Sequence, residues 1–410
     1  MTERILLATT VKWPSAAYLA GAFAALGCSV EAIFPRGHAL GVCRHVGRAH
    51  AYRPLRPHSS FAAAIAAARP DLIVACDDRA VSHLLSIEAR APEVAGLLVR
   101  SMGRLESYPT MMARSPAIAA AQAEGIPAPL TVAVANEAEF WRALTSVGLP
   151  AVLKTDGSWG GDGVAVMRTH EDARRAYRRL AAPPSILRSL VRAVMRKDAH
   201  FLPEMFAGKA APVHVQRFVR GKPATSAFAC RDGDVLAAIH MDVVESGRAT
   251  GPASLMQRTD CSRMDEAARR IARRLGLSGL HGLDFIRDED GVPQLIEMNP
   301  RATQICHLAL GAGHDLPAAL LGRAPRPTVT DKPLIALFPQ AWSSGCLSPR
   351  ARTAYLDVLW GDPEVVSAAM GPGFAPLDGR SGLKIQAAKR LQFLTGGLEK
   401  SGVRPRGLPF

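Results

Sequence analysis

The stretch from His281 to Arg301 constrains this chain more than any other. It reads as two short strands, Gly282 to Asp288 and Val292 to Met298, joined by a tight turn at Asp290-Gly291. Asp-Gly is the preferred pair for a two-residue type I′ loop, whose central residues need φ > 0. Such a turn sets the pairing: Glu289 faces Val292, Ile286 faces Leu295, and Asp284 lies opposite Glu297. Opposed residues of an antiparallel pair hold their Cβ atoms roughly 4.5–5.5 Å apart, so two carboxylates placed this way repel. Removing one should therefore relieve strain in the metal-free protein. Side chains alternate faces along a strand, so Asn299 shares the face of Glu297, and Arg301 follows just past the strand end. Hard oxygen ligands converging like this suit Mg²⁺, which takes one or two carboxylates and leaves other positions for water and phosphate. A solvated Asp/Glu pair on an exposed hairpin is the plainer alternative, and two carboxylates alone do not decide between them.

The second informative stretch lies upstream. A strand, Pro150 to Lys154, runs into Thr155-Asp156-Gly157-Ser158-Trp159-Gly160-Gly161-Asp162-Gly163, and another strand, Val164–Met167, follows. Glycines let a backbone approach phosphate oxygens, and successive N–H groups make an anion-binding nest. Four glycines in seven residues, with Ser158 among them and Lys154 just before, fit that use. Taken alone, the loop could also be a flexible hairpin.

Together the two stretches resemble the ATP-grasp superfamily, of the carboxylate–amine ligase and carbamoyl-phosphate synthase or biotin carboxylase type. Its metal-binding strand closes with Glu-x-Asn-x-Arg, here Glu297-Met298-Asn299-Pro300-Arg301. The motifs cover residues 100–322; the first hundred residues match by architecture only. The resemblance implies that Lys154 contacts the α- and β-phosphates, with Ser158, Gly160 and Gly161 closing over the triphosphate. Arg114 stands at a phosphate-touching position that is commonly Lys, and as a planar fork it replaces a point charge. Val213–Val219 resembles the hinge strand that meets adenine, with Gln216 where the family often has Glu and Val219 offering its backbone N–H. Asp284, Glu297 and Asn299 would hold Mg²⁺, or Mn²⁺ in its place. Arg301 would orient the attacking carboxylate, and Arg248, in a loop over the acceptor site, is a candidate ligand for a substrate carboxylate. One departure stands out. The acidic residue that many members place after the hinge glycine for the ribose is absent; Lys222-Pro223-Ala224 stands there, with Glu204 as a substitute candidate.

What the resemblance implies chemically is an ATP- and Mg²⁺-dependent ligase. A small carboxylate attacks the γ-phosphate, and an amine captures the acylphosphate. A bicarbonate-activating enzyme is a second reading, weakened because no segment with a Lys between two Met is present to carry biotin. A non-catalytic ATP-binding regulatory protein is a third, opposed by the intact Lys154, Asp284, Glu297, Asn299 and Arg301. The expected partners are a small carboxylate and an amine, and a homodimer is compatible with the pattern.

The expected fold class is α/β and α+β. Residues 1–106 alternate strand and helix as an open parallel-sheet domain, with strands at Arg4–Thr10, Ser29–Phe34 and Asp71–Cys76. Its first turn lacks G-x-G-x-x-G, which argues against a dinucleotide site. Asp77-Asp78 ends the third strand, where open sheets bind ligands; a helix N-cap made by Asp78 is the alternative. Residues 107–322 form a two-lobed ATP-grasp domain, divided at 212/213. Within the first lobe, a basic helix over 185–197 sets Arg188, Arg192 and Arg196 on one face, which suits an anionic ligand or an ordinary solvated surface. Residues 323–410 form a small C-terminal extension with a strand at Leu334–Phe338 and helices at Arg350–Val358 and Gly379–Leu394; no function is read from it. His307 is given a structural role, since no base–nucleophile pair surrounds it.

Composition narrows the partners. The net charge is +14 and the pI about 9.9, yet only nine of the 50 basic residues are Lys, and no basic block sits beside stacking aromatics. Nucleic acid is therefore not an expected partner. The seven cysteines are scattered without CxxC spacing, which points to reduced thiols in a cytoplasmic protein. No apolar run is long enough to span a bilayer, and the short apolar start reads as a strand, not a signal peptide.

Overall fold

The computed structural model describes residues 2–88, 91–155, 163–182, 212–247, 251–342 and 347–370. Ser158, Gly160, Gly161, Glu204, Arg248, the basic helix over 185–197 and the helix expected over 379–394 lie outside the described residues.

The first unit alternates as the sequence suggests. Its elements are β1 (Arg4–Ala8), α1 (Ser15–Ala25), β2 (Ser29–Phe34), β3 (Arg48–Ala51), α2 (Pro57–Ala68), β4 (Leu72–Ala75), α3 (Asp78–Glu88) and α4 (Ala95–Met102). The strands form a parallel sheet in the order β3-β2-β1-β4. Strand β3 was not foreseen, because Arg-Ala-His-Ala at a mostly exposed edge carries no apolar alternation. The two faces of this sheet enter different cores. Leu6, Ile33 and Ile73 pack with Phe228, Leu283 and Phe285, while Ile5, Leu7 and Val30 pack with Ala229, Met241 and Ile305.

The next unit contains α5 (Tyr108–Met112), α6 (Arg114–Ala123), β5 (Thr131–Val134), α7 (Glu137–Val147), β6 (Ala151–Thr155), β7 (Val164–Met167), α8 (His170–Leu180) and β8 (Val213–Arg217). Its antiparallel sheet runs β5-β8-β6-β7 over a core of Phe140, Leu144, Leu153 and Val215. Asn136 caps α7 by accepting from the Glu139 N–H at 2.9 Å.

The remaining elements are β9 (Lys222–Arg231), β10 (Asp234–Ser246), β11 (Ala253–Arg258), α9 (Ser262–Leu275), β12 (Gly279–Arg287), β13 (Pro293–Asn299), α10 (Leu316–Leu320), β14 (Leu334–Leu337), β15 (Tyr355–Asp357) and α11 (Pro363–Ala369). They build a seven-stranded sheet ordered β13-β12-β9-β10-β11-β14-β15. The helix expected over Arg350–Val358 is a correction. Ala351–Thr353 is a short 3₁₀ turn, and Tyr355–Asp357 pairs parallel with β14. An open sheet edge and a Tyr-Leu-Asp-Val run favour a strand over helical spacing there.

A backbone seam joins the first unit to the large sheet. Ser278 N–H donates to the Met102 carbonyl at 2.9 Å, and Arg104 N–H to the Gly276 carbonyl at 2.8 Å. Gly103 between them has φ +86°, and a Cβ there would lie 2.2 Å from the Gly276 oxygen and 2.5 Å from Ser278 N. Gly103→Ala is expected to destabilise by at least about 2 kcal/mol, since backbone strain and overpacking act together. A denaturation midpoint equal to that of the parent protein would contradict this.

Candidate active site

The hairpin β12–β13 carries Asp284 opposite Glu297, but by a different route from the one the turn suggested. Gly291 has φ +76° and Asp290 stays at negative φ, so the loop is not type I′. Instead Gly291 N–H donates to the Asp288 carbonyl at 2.9 Å, and the Asp288 and Val292 backbones pair at 3.0 Å. Asp288 Oδ1 accepts from Val292 N–H at 2.8 Å and from Asp290 N–H at 3.2 Å. A three-residue loop results, and it shifts the register by one: Ile286 faces Gln294, not Leu295. A bulge between Asp284 and Phe285 leaves Ile296 unpaired and restores the register, so Asp284 still meets Glu297 and Gly282 meets Asn299. The other Asp-Gly pair, Asp232-Gly233, does take positive φ at both residues (51° and 88°).

The bulge has a chemical consequence. The Ile296 carbonyl, released from the ladder, accepts from Lys154 Nζ at 3.2 Å and Gln216 Nε2 at 3.5 Å. Lys154 lies near the end of β6 and is only 5% exposed. Gln216, on β8, is buried and also donates to Thr131 Oγ1 at 2.9 Å. Arg114, at the start of α6, pairs through Nη1 with Glu297 Oε2 at 2.8 Å. Sequence reasoning placed Arg114 and Lys154 near phosphate but gave no hint that both face Glu297.

The charges shape one another. Burial lowers the Lys154 pKa to about 8 against the pull of Glu297, with Arg114 adding to the fall. Burial opposes ionisation of Glu297, yet the Arg114 and Lys154 charges outweigh it and hold Glu297 below the usual carboxylate range. Burial raises Asp284, and the Glu297 charge raises it further. Asp284 Oδ2 accepts from Asn299 Nδ2 at 2.9 Å.

Arg301 closes the far end. Ala302 N–H donates to the Ala75 carbonyl at 2.9 Å, which ties the segment after β13 to the end of β4. That contact brings Arg301 Nε to 3.3 Å from Asp78 Oδ1. Arg301 also donates through Nη2 to Asn299 Oδ1 at 3.1 Å and through Nη1 to the Ala302 carbonyl at 3.3 Å. The cap of α3 is Asp77, not Asp78. Asp77 accepts from Ala80 N–H, Thr9 Oγ1, Thr10 N–H and Thr10 Oγ1 within 2.9 Å. The structural role given to His307 fits its place: its Nε2 lies 3.0 Å from Asp357 Oδ2 on β15.

One cleft of about 770 Å³ joins these groups. Val152, Val164, Val219, Gln216 and Lys154 line it together with Asp284, Glu297, Asn299 and Arg301. Strand β8 ends at Arg217, so Val219 lies just past it and not within a strand. The first unit supplies further lining, including Trp13, Tyr52, Asp78 and His83. Of these the sequence singled out only Asp78.

Among the described residues no group of three or more His, Cys, Asp or Glu side chains is placed to hold a metal ion. Two carboxylates and an amide nevertheless fit Mg²⁺, which draws remaining ligands from water and phosphate. The raised Asp284, beside a Glu297 that stays ionised, is a pair whose repulsion a dication would relieve.

A model of the ATP-grasp domain matches residues 190–304. An N5-carboxyaminoimidazole ribonucleotide synthetase, solved as an ADP complex, aligns at TM-score 0.59 and 14% identity over 81% of this chain and 80% of its own. The chain has the ATP-grasp fold, with a recognisable ATP-grasp domain over 190–304. Biotin carboxylase of Campylobacter jejuni, solved as a beta-gamma-ATP complex, aligns at TM-score 0.56 and 17% identity, covering 78% and 70% of the two chains. The N5-carboxyaminoimidazole ribonucleotide synthetase of Thermus thermophilus aligns at 0.55 and 19% identity over 78% and 81%. No curated protein matches by sequence. At these identities the likeness speaks for the ATP-grasp fold: a parallel-sheet unit followed by two further sheets, with the cleft lined from all three. Among the described residues, no helix is long and apolar enough to cross a membrane.

Proposed function

We propose that this ATP-grasp protein is a ligase that activates a small carboxylate with Mg·ATP and passes the acyl group to an amine. The observation that carries the reading is the order of charges along one cleft. Lys154 and Arg114 face the Glu297–Asp284 pair, and Arg301 stands beyond Asn299 at the far end. Phosphoryl transfer needs positioning and charge neutralisation more than covalent chemistry, and this row supplies both. Lys154 and Arg114 would bind phosphate oxygens, with Gln216 and the backbone near Val219 toward the base. Asp284, Glu297 and Asn299 would hold Mg²⁺, which would neutralise phosphate charge when bound. Arg301 would present a carboxylate through paired N–H donors. An oxygen of that carboxylate attacks the γ-phosphorus and ADP leaves; the amine then attacks the acyl carbon, and phosphate departs with the same oxygen. Ser158, Gly160, Gly161 and Arg248 keep the roles the family resemblance implies for them.

With ATP, Mg²⁺, an ¹⁸O-labelled carboxylate and an amine pool, the expected products are ADP and ¹⁸O-phosphate. Arg301→Ala should cut that transfer on the order of 100-fold, the cost of a misplaced reactant, while nucleotide affinity stays near its original value. AMP and pyrophosphate, or unlabelled phosphate during ligation, would remove the acylphosphate route.

A further inference from the structure

We propose that the acid activated at this site is a zwitterion, an amino acid whose carboxylate goes to Arg301 and whose ammonium goes to Asp78. This deepens the ligase reading and rests on it. The two aspartates at the end of β4 have different work. Asp77 takes four donors from the protein and holds the turn together. Asp78, one residue on, turns toward the cleft, and among the described residues Arg301 is the side chain within hydrogen-bond distance of it. That contact uses Oδ1, and Oδ2 accepts from no described group. Asp78 is 33% exposed and Arg301 21%, so both can meet a ligand from the cleft.

Arg301 is prepared for an anion in a complementary way. A guanidinium carries five N–H donors. Three are engaged, by Asp78, Asn299 and the Ala302 carbonyl, which leaves one on each terminal nitrogen. Two N–H groups on neighbouring nitrogens can meet the two oxygens of a carboxylate. A lone carboxylate placed there would share the single Arg301 charge with Asp78, and part of the repulsion between the two carboxylates would remain. An ammonium one or two carbons from the carboxyl carbon offsets it and pairs with Oδ2. Burial raises Asp78 above the usual carboxylate range more than Arg301 lowers it, and the charges of Asp77 and Glu297 add to the rise. This carboxylate gains from a second cation.

The test uses the full-length protein with Mg·ATP and hydroxylamine, which traps an acylphosphate as a hydroxamate. Alanine, β-alanine, aspartate, glutamate and phenylalanine are each compared with the acid lacking the amine: propionate, succinate, glutarate and 3-phenylpropionate. ADP and hydroxamate should form with at least one amino acid, at a kcat/KM ten or more times that of its deaminated partner. Asp78→Asn should lose most of that preference, the amino acid being weakened at least ten times more than the deaminated acid. Nucleotide affinity, measured alongside, should match the parent and shows that the variant is folded. Equal use of an amino acid and its deaminated partner overturns the proposal while the ligase reading stands. So does equal loss of both in Asp78→Asn, which would make Asp78 only a positioning residue for Arg301. Turnover with no amino acid of the set also overturns it. ATP turnover that needs no carboxylate sinks the ligase reading itself.

Discussion

Glu297→Gln is expected to reduce ATP turnover at least about 100-fold, and also to destabilise the unliganded protein. The second effect reverses what the sequence suggests, where two opposed carboxylates repel and losing one brings relief. In the structure Glu297 is the counter-charge to Arg114 at 2.8 Å, a side chain only 9% exposed, and its charge also acts on Lys154. Breaking a buried pair by removing one partner is strongly destabilising, because the other charge is left uncompensated. The pH dependence follows with a definite sign. Glu297 is held below its usual range, so its stabilising share is complete above the unfolded carboxylate value, roughly 4.3, and is lost as pH falls through the lower native value. The variant should lack that share of acid sensitivity. Ordinary turnover in Glu297→Gln would show that the residue is not a metal ligand, and a metal-free variant more stable than the parent would show that it is not the anchor of the two cations.

Lys154→Met is expected to weaken nucleotide binding by about 10- to 100-fold, since a charge-assisted hydrogen bond contributes about 1.5–3 kcal/mol. The telling readout is pH. Burial brings Lys154 down to about 8, so it carries its charge at neutral pH and loses it just above. ATP affinity in the parent protein should fall as pH rises through about 8. Stability of the free protein should move the other way. The native pKa lies below the unfolded value of about 10.4, so Lys154's contribution is present above that value and is lost as pH falls through the native one. Opposite slopes of binding and stability in one pH window are hard to produce by general denaturation. Calorimetric titration at several pH values, with Lys154→Met as the flat control, measures the first slope. Affinity that ignores pH in the parent, or that survives the substitution, would take Lys154 out of the phosphate site.

Much of this candidate site is legible in the residues themselves. Asp284, Glu297, Asn299, Arg301, Lys154 and Arg114 all line the one cleft. They could be found because each sits at a strand or helix end marked by local chemistry: a Glu-x-Asn-x-Arg closure, a Lys before a glycine run, the opening of a helix. The strand periodicity of β12 and β13 came from alternation, which requires only the residues themselves.

What the sequence by itself determined was most of the elements around the cleft and which of their residues share a face. Only the tertiary structure decided how those faces meet. Asp284 opposite Glu297 survives because a three-residue loop and a bulge at Ile296 cancel, and Asp-Gly alone cannot choose between turns that differ by one residue of register. Tyr355–Asp357 became a strand because β14 offered an unpaired edge, a partner that local spacing does not record. Arg301 meets Asp78 across 223 residues of chain, through a backbone bond between Ala302 and Ala75. Propensity and period act over a few residues, whereas the pairing of charges across a cleft is settled by packing between sheets, after the local choices have been made.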